Sequence, residues 1–235
     1  MNATTGVATD RTALVAGGSG LIGSRLLPLL LAAPEYARVY ALSRRPLPLE
    51  HARLANRVLR FDAPLEGQLK GLTCHDAFCC LGTTIRAAGS EAAFRAVDHA
   101  LVVAFARAAL AAGAQRIVLV SSVGADPSSK NFYLLVKGET ERAVEALRPR
   151  SLDILQPSVL LGLRREWRTR ELAVQVAMVP ISALLFGASA RFRAIEAETV
   201  AAAMRGAARS GRRGVYRYTF HELQRLAASG KPSQV

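Results

Sequence analysis

The sequence predicts an α/β fold with a doubly wound parallel sheet, and three observations predict it. Short apolar runs alternate with helical patterns along the chain, the order that βαβ units require. The first apolar run ends in a glycine cluster and a helical pattern follows at once. The glycine turn, Ser43, Gly82 and Ser121 each fall at the C-terminal end of a predicted strand, the edge where open α/β sheets bind ligands.

Taken in order, Thr12–Gly17 reads as the first strand and Gly20–Ala33 as the first helix. Val39–Ser43 is the second strand, Arg57–Phe61 the third, and His75–Leu81 the fourth. Glu91–Ala112 is a long amphipathic helix, stopped by Gly113 just past its end. Arg116–Ser121 is the fifth strand, Asn131–Leu147 a helix ended by Pro149, and Leu152–Gln156 the sixth strand. Ala197–Ala208 is a further helix and Val215–Tyr218 a short strand. Right-handed crossovers wind these elements into one sheet. Residues 1–235 suit a single domain, with a helical insertion on the substrate side at 163–190 and polar, loose ends.

Half of the chain is hydrophobic (51%), enough for a large core. The formal charge of +13 comes mainly from arginines scattered along the sequence. Without aromatic-basic interleaving or a recognition-helix pattern, a soluble basic surface is favoured over a nucleic-acid partner. Leu172–Ala190 carries no charged residue, but Gln175, Pro180 and several small residues interrupt it. It reads as a helix pair buried against the domain or at a homodimer interface, with peripheral membrane contact as the lesser alternative. The first ten residues lack the apolar core of a signal peptide. Cys74, Cys79 and Cys80 have no zinc or disulfide spacing and read as reduced core thiols, so a cytoplasmic location is expected. The four histidines, His51, His75, His99 and His221, are scattered without ligand spacing.

Gly18-x-Gly20-x-x-Gly23 fits the dinucleotide fingerprint, and Gly17-x-x-Gly20-x-x-Gly23 fits its short-chain dehydrogenase variant. The first glycines allow the turn, Gly20 lets the backbone approach a pyrophosphate, and Gly23 lets the helix pack closely on the sheet. The unpaired N–H groups of the helix start favour phosphate.

After the second strand, where an NAD-specific protein carries an acidic residue for the ribose, this chain has Arg44 and Arg45. Guanidinium groups pair well with the adenosine 2′-phosphate, so NADP(H) is favoured over NAD(H). Asp62, just after the third strand, has two equal readings: an acceptor for the adenine amino group, or a cap of the following turn.

Tyr133 and Lys137 stand four apart on a predicted helix and share a face. An ammonium near the phenol favours the phenolate and lowers a tyrosine pKa of about 10 toward neutrality. Lys137 can also donate to the nicotinamide ribose. Ser121-Ser122, about a dozen residues earlier at a strand end, can hold a substrate carbonyl oxygen beside the tyrosine. Glu139, Glu141 and Glu145 read as helix-surface partners of Arg142.

With these motifs the chain resembles the short-chain dehydrogenase/reductase superfamily, and within it the atypical Tat-interacting-protein-like oxidoreductases. The resemblance rests on Gly17–Gly23, Phe78-Cys-Cys-Leu-Gly-Thr-Thr84, Val97-Asp98, Val120-Ser-Ser-Val-Gly-Ala125, Tyr133-Leu-Leu-Val-Lys-Gly-Glu139 and the Arg164/Arg168 region. It implies a Rossmann-type fold and the following roles. Gly17 and Gly23 shape the turn, and Ser19, Gly20, Leu21 and Ile22 cradle the pyrophosphate. Arg44 and Arg45 bind the 2′-phosphate, and Leu81 and Gly82 lie along adenosine and ribose. Tyr133 exchanges the proton, and Lys137 assists it and binds ribose. Leu160 lines the nicotinamide side, and Arg168 reaches the cofactor phosphates or belongs to a charged helix start. Of the two serines the resemblance favours Ser122 as catalytic. One departure stands out: Gln156-Pro157-Ser158 replaces an Arg-Pro-Gly run, which puts the local ion pairing in doubt.

The sequence is thus expected to encode an NADP(H)-dependent oxidoreductase acting on a small carbonyl or alcohol substrate. The alternative is a catalytically silent NADPH-binding regulatory or redox-sensing protein on the same fold.

Overall fold

The computed structural model describes residues 10–161 and 191–230. The insertion expected at 163–190, Arg168, and the apolar stretch read as a buried pair, a dimer face or a membrane contact lie outside the described residues.

Among the described residues nine strands follow in chain order: β1 (Arg11–Ala16), β2 (Tyr36–Ser43), β3 (Leu54–Val58), β4 (Asp76–Cys79), β5 (Arg116–Val120), β6 (Ser151–Leu155), β7 (Leu160–Leu161), β8 (Ile195–Glu196) and β9 (Gly214–Tyr218). Seven of them form one parallel sheet in the order β3-β2-β1-β4-β5-β6-β9, and β7 and β8 form a separate parallel pair. The chain leaves β1 toward one edge and β4 toward the other. The loops after β1 and β4 therefore diverge at the switch point, where a crevice opens.

Successive residues of each strand point to opposite faces, so the sheet has two cores. On one face Ala13, Val15, Phe78 and Leu155 meet Leu26 and Leu30 of α1 (Gly23–Leu31). On the other face Leu14, Ala77, Ile117 and Ile154 are buried. Short helices α2 (Leu65–Gln68), α3 (Ile85–Ala88) and α4 (Glu91–Arg95) precede α5 (Val102–Ala111), whose Phe105 and Ala109 cover that second face together with Val144 of α6 (Phe132–Ala146). Helix α7 (Ala197–Arg209) joins α1 over the first face through Val200 and Met204. Burying each such leucine or phenylalanine stabilises the fold by about 1.5–3 kcal/mol.

The strand starts carry a polar row, buried except for the half-exposed Arg11, at the end of the sheet opposite the crevice. Arg11, Tyr36, Asp76 and Arg116 are the first residues of β1, β2, β4 and β5. The Tyr36 hydroxyl donates to Asp76 at 2.8 Å, and Arg116 Nη1 donates to Asp153 at 3.0 Å. Burial pushes the Asp153 carboxyl up, and hydrogen bonds from Tyr218, Ser151 and Arg116 oppose that push. Removing one partner here leaves a buried charge alone, which costs about 3–5 kcal/mol.

Three expectations about elements are corrected. The third strand is Leu54–Val58, not Arg57–Phe61. Gln68 takes both backbone groups of Arg60, accepting from its N–H at 2.9 Å and donating to its carbonyl at 2.8 Å. Those groups are thereby withdrawn from a ladder. The helix expected at Glu91–Ala112 is interrupted: α4 passes into a π-helical turn at Ala96–Leu101 before α5. A further helix, α8 (Phe220–Gly230), follows β9 where none was expected. It rests on α7 at two glycines: a Cβ on Gly206 would overlap the Leu226 carbonyl, and one on Gly230 the Ala202 carbonyl.

Candidate active site

The glycine turn is built from backbone geometry. Gly17 holds φ +82°, a conformation that L side chains rarely adopt, and the Gly20 N–H donates to its carbonyl at 3.0 Å. A Cβ on Gly17 would run into the backbone of Cys80 and Leu81, so the loops after β1 and β4 touch here. A Cβ on Gly23 would overlap the Gly17 carbonyl. Ser19 and Gly20 face outward, Leu21 is half-buried and Ile22 is buried. The helix begins at Gly23 rather than Gly20, with no side chain capping it. An exposed glycine turn ahead of a helix start that no side chain caps fits a pyrophosphate.

Ser43 ends β2, and its hydroxyl donates to the Arg45 carbonyl at 2.6 Å, which folds the next residues into a fixed turn. Arg44 and Arg45 are exposed on that turn, with no acidic partner among the described residues. Asp62 is also exposed, but Arg60 lies 3.3 Å from its carboxylate. The hydrogen bond from Arg60 holds the Asp62 carboxyl below the usual carboxylate range. No side chain caps α2, and the side-chain partner of Asp62 is Arg60.

The loop after β4 leads from Cys79 over Leu81, Gly82 and Thr83 to α3. Beneath it lies a charge pair. Lys137 Nζ stands 2.7 Å from Asp98 Oδ1, both groups being buried. The Thr83 N–H donates to the other carboxylate oxygen at 2.8 Å. Lys137 Nζ is also 5.9 Å from the Tyr133 ring centre, as the four-residue spacing on α6 requires. Burial works against the charged lysine, but Tyr133 and Asp98 outweigh it and hold its pKa above the ordinary value. The half-buried Tyr133 ring packs on Phe94 at 5.6 Å.

Asn131 starts α6 by accepting from the Leu134 N–H at 3.2 Å. Close approach of α6 to the loop after β5 depends on Gly138, where a Cβ would overlap Asp126 and Pro127. The Asp126 N–H donates to the Leu134 carbonyl at 3.1 Å, so this loop lies along the first turn of the helix. The two serines of the loop differ. Ser121 is buried and donates to Glu141 Oε1 at 2.5 Å. Ser122 is half-buried, its hydroxyl 3.4 Å from the next carbonyl.

Glu141 was expected on the helix surface and is buried instead. It also accepts from Gln156 Nε2 at 2.9 Å and from Arg217 Nε at 3.1 Å. Arg217 reaches in from β9 and pairs with Glu145 as well, at 2.7 Å. The departure at Gln156 thus leaves no orphan charge: glutamine supplies the hydrogen bond and β9 supplies the cation.

Leu160 lies half-buried on β7. Burial pushes the Cys74 and Cys79 thiols up to about 12, in keeping with inert core thiols. His75 accepts from the Thr12 N–H at 3.1 Å, and His99 Nδ1 sits 3.1 Å from the Thr140 hydroxyl. Among the described residues no cluster of histidine, cysteine or carboxylate could hold a metal ion, and no helix is long and apolar enough to cross a membrane.

Asp98 and Glu141 were not among the expected site residues. The signal for Asp98 was a lone carboxylate inside the apolar run Ala96-Val-Asp-His-Ala-Leu-Val-Val103. For Glu141 no local signal existed, because Ser121, Gln156 and Arg217 reach it from three different strand ends.

Comparison with known proteins agrees with this geometry. A family model described as NAD(P)H-binding matches residues 17–161. Protein FMP52, mitochondrial, of Coccidioides immitis is 38% identical over 172 residues, covering 68% of this chain and 70% of that protein. Protein HTATIP2 of Rattus norvegicus is 38% identical over 166 residues, covering 69% and 68%. Among solved structures, MoeE5 in complex with UDP-glucose and NAD superposes with a TM-score of 0.67 at 18% identity, over 92% of this chain and 81% of that one. The reductase domain of PhqB from Penicillium fellutanum gives 0.64 at 14% identity, over 89% and 67%. These structures share the Rossmann-type fold. The cytoplasmic expectation is corrected: FMP52 relatives from Coccidioides immitis and Saccharomyces cerevisiae are named as mitochondrial proteins, so reduced core thiols do not assign a compartment. The chain belongs to the NAD(P)H-binding family, among its atypical short-chain dehydrogenase/reductase-like members.

Proposed function

We propose that this protein is an NADP(H)-dependent oxidoreductase acting on a small carbonyl or alcohol. The observation that carries the reading is Lys137, a buried ammonium beside Tyr133 on α6, below the loop that follows β4. When bound, the dinucleotide supplies or accepts a hydride at C4 of its nicotinamide. In the reductive direction Tyr133 gives its phenolic proton to the substrate oxygen, and in the oxidative direction it takes that proton back. Lys137 stabilises the phenolate and donates to the ribose. Ser122 donates to the substrate oxygen and polarises it, a task for which Ser121 is less suited while its proton is committed to Glu141. Gly17–Gly23 receives the pyrophosphate, with Ser19, Gly20, Leu21 and Ile22 nearest to it. Leu81 and Gly82 run along adenosine and ribose, and Leu160 lines the nicotinamide side. Two exposed arginines with no acidic partner among the described residues favour the 2′-phosphorylated cofactor. Asp62, beside Arg60, keeps an acceptor for the adenine amino group.

The test pairs binding with turnover. NADPH is expected to raise the melting temperature more than NADH does, and NADPH is expected to be consumed with some member of a carbonyl panel. Tyr133→Phe abolishes consumption and keeps binding. No thermal shift at millimolar NADPH overturns the reading. Tight binding with silence across the panel turns it into the regulatory alternative.

A further inference from the structure

The π-helical turn between α4 and α5 has one consequence at the site. A π turn inserts an extra residue into a helix and changes which side chain faces inward. Here the turn spans Ala96–Leu101, and the inward residue is Asp98, with no solvent exposure. Its carboxylate spans two elements that the sheet topology brings together: Oδ1 is 2.7 Å from Lys137 Nζ on α6, and Oδ2 accepts the Thr83 N–H at 2.8 Å from the loop after β4. Gly82 leaves room for this, since a Cβ there would come within 3.3 Å of Asp98 Oδ1 and 3.7 Å of Lys137 Nζ. The backbone around Asp98 is also held. The Thr140 hydroxyl, one turn after Lys137, lies 2.9 Å from the Asp98 carbonyl.

We infer that Asp98 is a positioning residue: it aims the Lys137 ammonium at the space between Tyr133 and the loop after β4, and fixes that loop against it. The ionisable groups around Lys137 are Tyr133, Asp98 and Cys79. Burial pushes the Cys79 thiol up, so the acidic partner in direct contact with the ammonium is the Asp98 carboxylate, 2.7 Å away. Without it a lysine this buried loses its proton at much lower pH, since burial disfavours the charged form. A neutral lysine cannot stabilise a phenolate. The same carboxylate leaves Lys137 two further donors, enough for a phenolic oxygen and a ribose hydroxyl.

The inference uses the roles given above to Tyr133 and Lys137, but its test does not need a substrate. The chain has four lysines, Lys70, Lys130, Lys137 and Lys231, so 13Cε-lysine NMR gives a spectrum simple enough to follow each one. In the wild type Lys137 is expected to titrate above the ordinary lysine range. Asp98→Asn keeps an acceptor for the Thr83 N–H and loses the charge; the Lys137 midpoint is expected to fall by about one unit or more, a tenfold change in the proton equilibrium. Asp98→Glu is expected to restore most of it. An unchanged midpoint in a folded Asp98→Asn protein overturns the inference. Should that variant not fold, the wild-type titration decides: a Lys137 midpoint at or below the ordinary range overturns it. NADPH binding is measured on the same samples. Unshifted Lys137 with intact NADPH binding defeats the positioning role alone, whereas a Lys137 that behaves as expected without NADPH binding defeats the oxidoreductase reading alone.

Discussion

The Ser121 hydroxyl donates to Glu141 across 2.5 Å of buried space, and this contact separates two neighbouring serines that the sequence leaves alike. Ser121 ties the end of β5 to α6, while Ser122 stays half-buried in the loop. The two substitutions are therefore expected to differ in kind. Ser121→Ala removes a buried hydrogen bond to a charged group and costs about 1.5–3 kcal/mol of stability. Ser122→Ala is expected to leave the denaturation midpoint unchanged and to lower turnover about 10²–10³-fold, the usual loss of one donor to a developing oxyanion. Urea denaturation and steady-state kinetics on both variants check this. The assignment is lost if Ser121→Ala alone silences a fully folded protein.

Arg44 and Arg45 stand exposed on a turn fixed by the Ser43 hydroxyl, with no acidic partner among the described residues. Charge-assisted hydrogen bonds to a phosphate are each worth about 1.5–3 kcal/mol. Replacing either arginine by alanine is expected to raise the NADPH dissociation constant about tenfold or more, and to leave NADH binding as it was. Equal weakening of both cofactors would place the arginines elsewhere than at the 2′-phosphate.

Gly23 faces the Gly17 carbonyl, a backbone atom that cannot swing aside. A methyl group there has to push α1 off the end of β1. Gly23→Ala is expected to lower stability by about 1–3 kcal/mol, the usual cost of overpacking. It is also expected to abolish the thermal shift given by NADPH. Retention of both wild-type stability and the shift would mean that the turn is looser than its geometry implies.

Glu35 gives the acid dependence a specific term. Burial works against its carboxylate, while hydrogen bonds from its own backbone and from Arg205, with the charges of Arg205 and Arg209, hold its pKa below the ordinary glutamate value. A depressed carboxylate contributes stability above its unfolded value and loses it as pH falls through the folded value. Glu35→Gln is accordingly expected to flatten the loss of melting temperature between roughly pH 5 and pH 3. Parallel wild-type and variant curves across that range would remove Glu35 as a contributor.

Much of the site was legible because its determinants are local. The glycine turn needs only a backbone that bends where β1 ends. Tyr133 and Lys137 meet because helix periodicity places residues four apart on one face, and Arg44 and Arg45 because they follow a strand end. The alternation of apolar runs and helical patterns carried the parallel sheet in the same way. Boundaries were less legible where a distant side chain intervened, as Gln68 does at Arg60, so that the third strand ends at Val58 and lies three residues earlier than expected.

What the sequence by itself determined was therefore the order of the strands, the glycine turn and the pairing of Tyr133 with Lys137, since each depends on spacing along the chain. Tertiary structure alone decided the rest. It placed Asp98 against Lys137 through a π turn, buried Glu141 among Ser121, Gln156 and Arg217, and laid α8 on α7 at two glycines. These contacts join residues far apart in the chain, and a carboxylate on a helix gives no local sign of whether water or an ammonium will face it. That choice belongs to the packing of the sheet, which sets what lies within 3 Å of each oxygen.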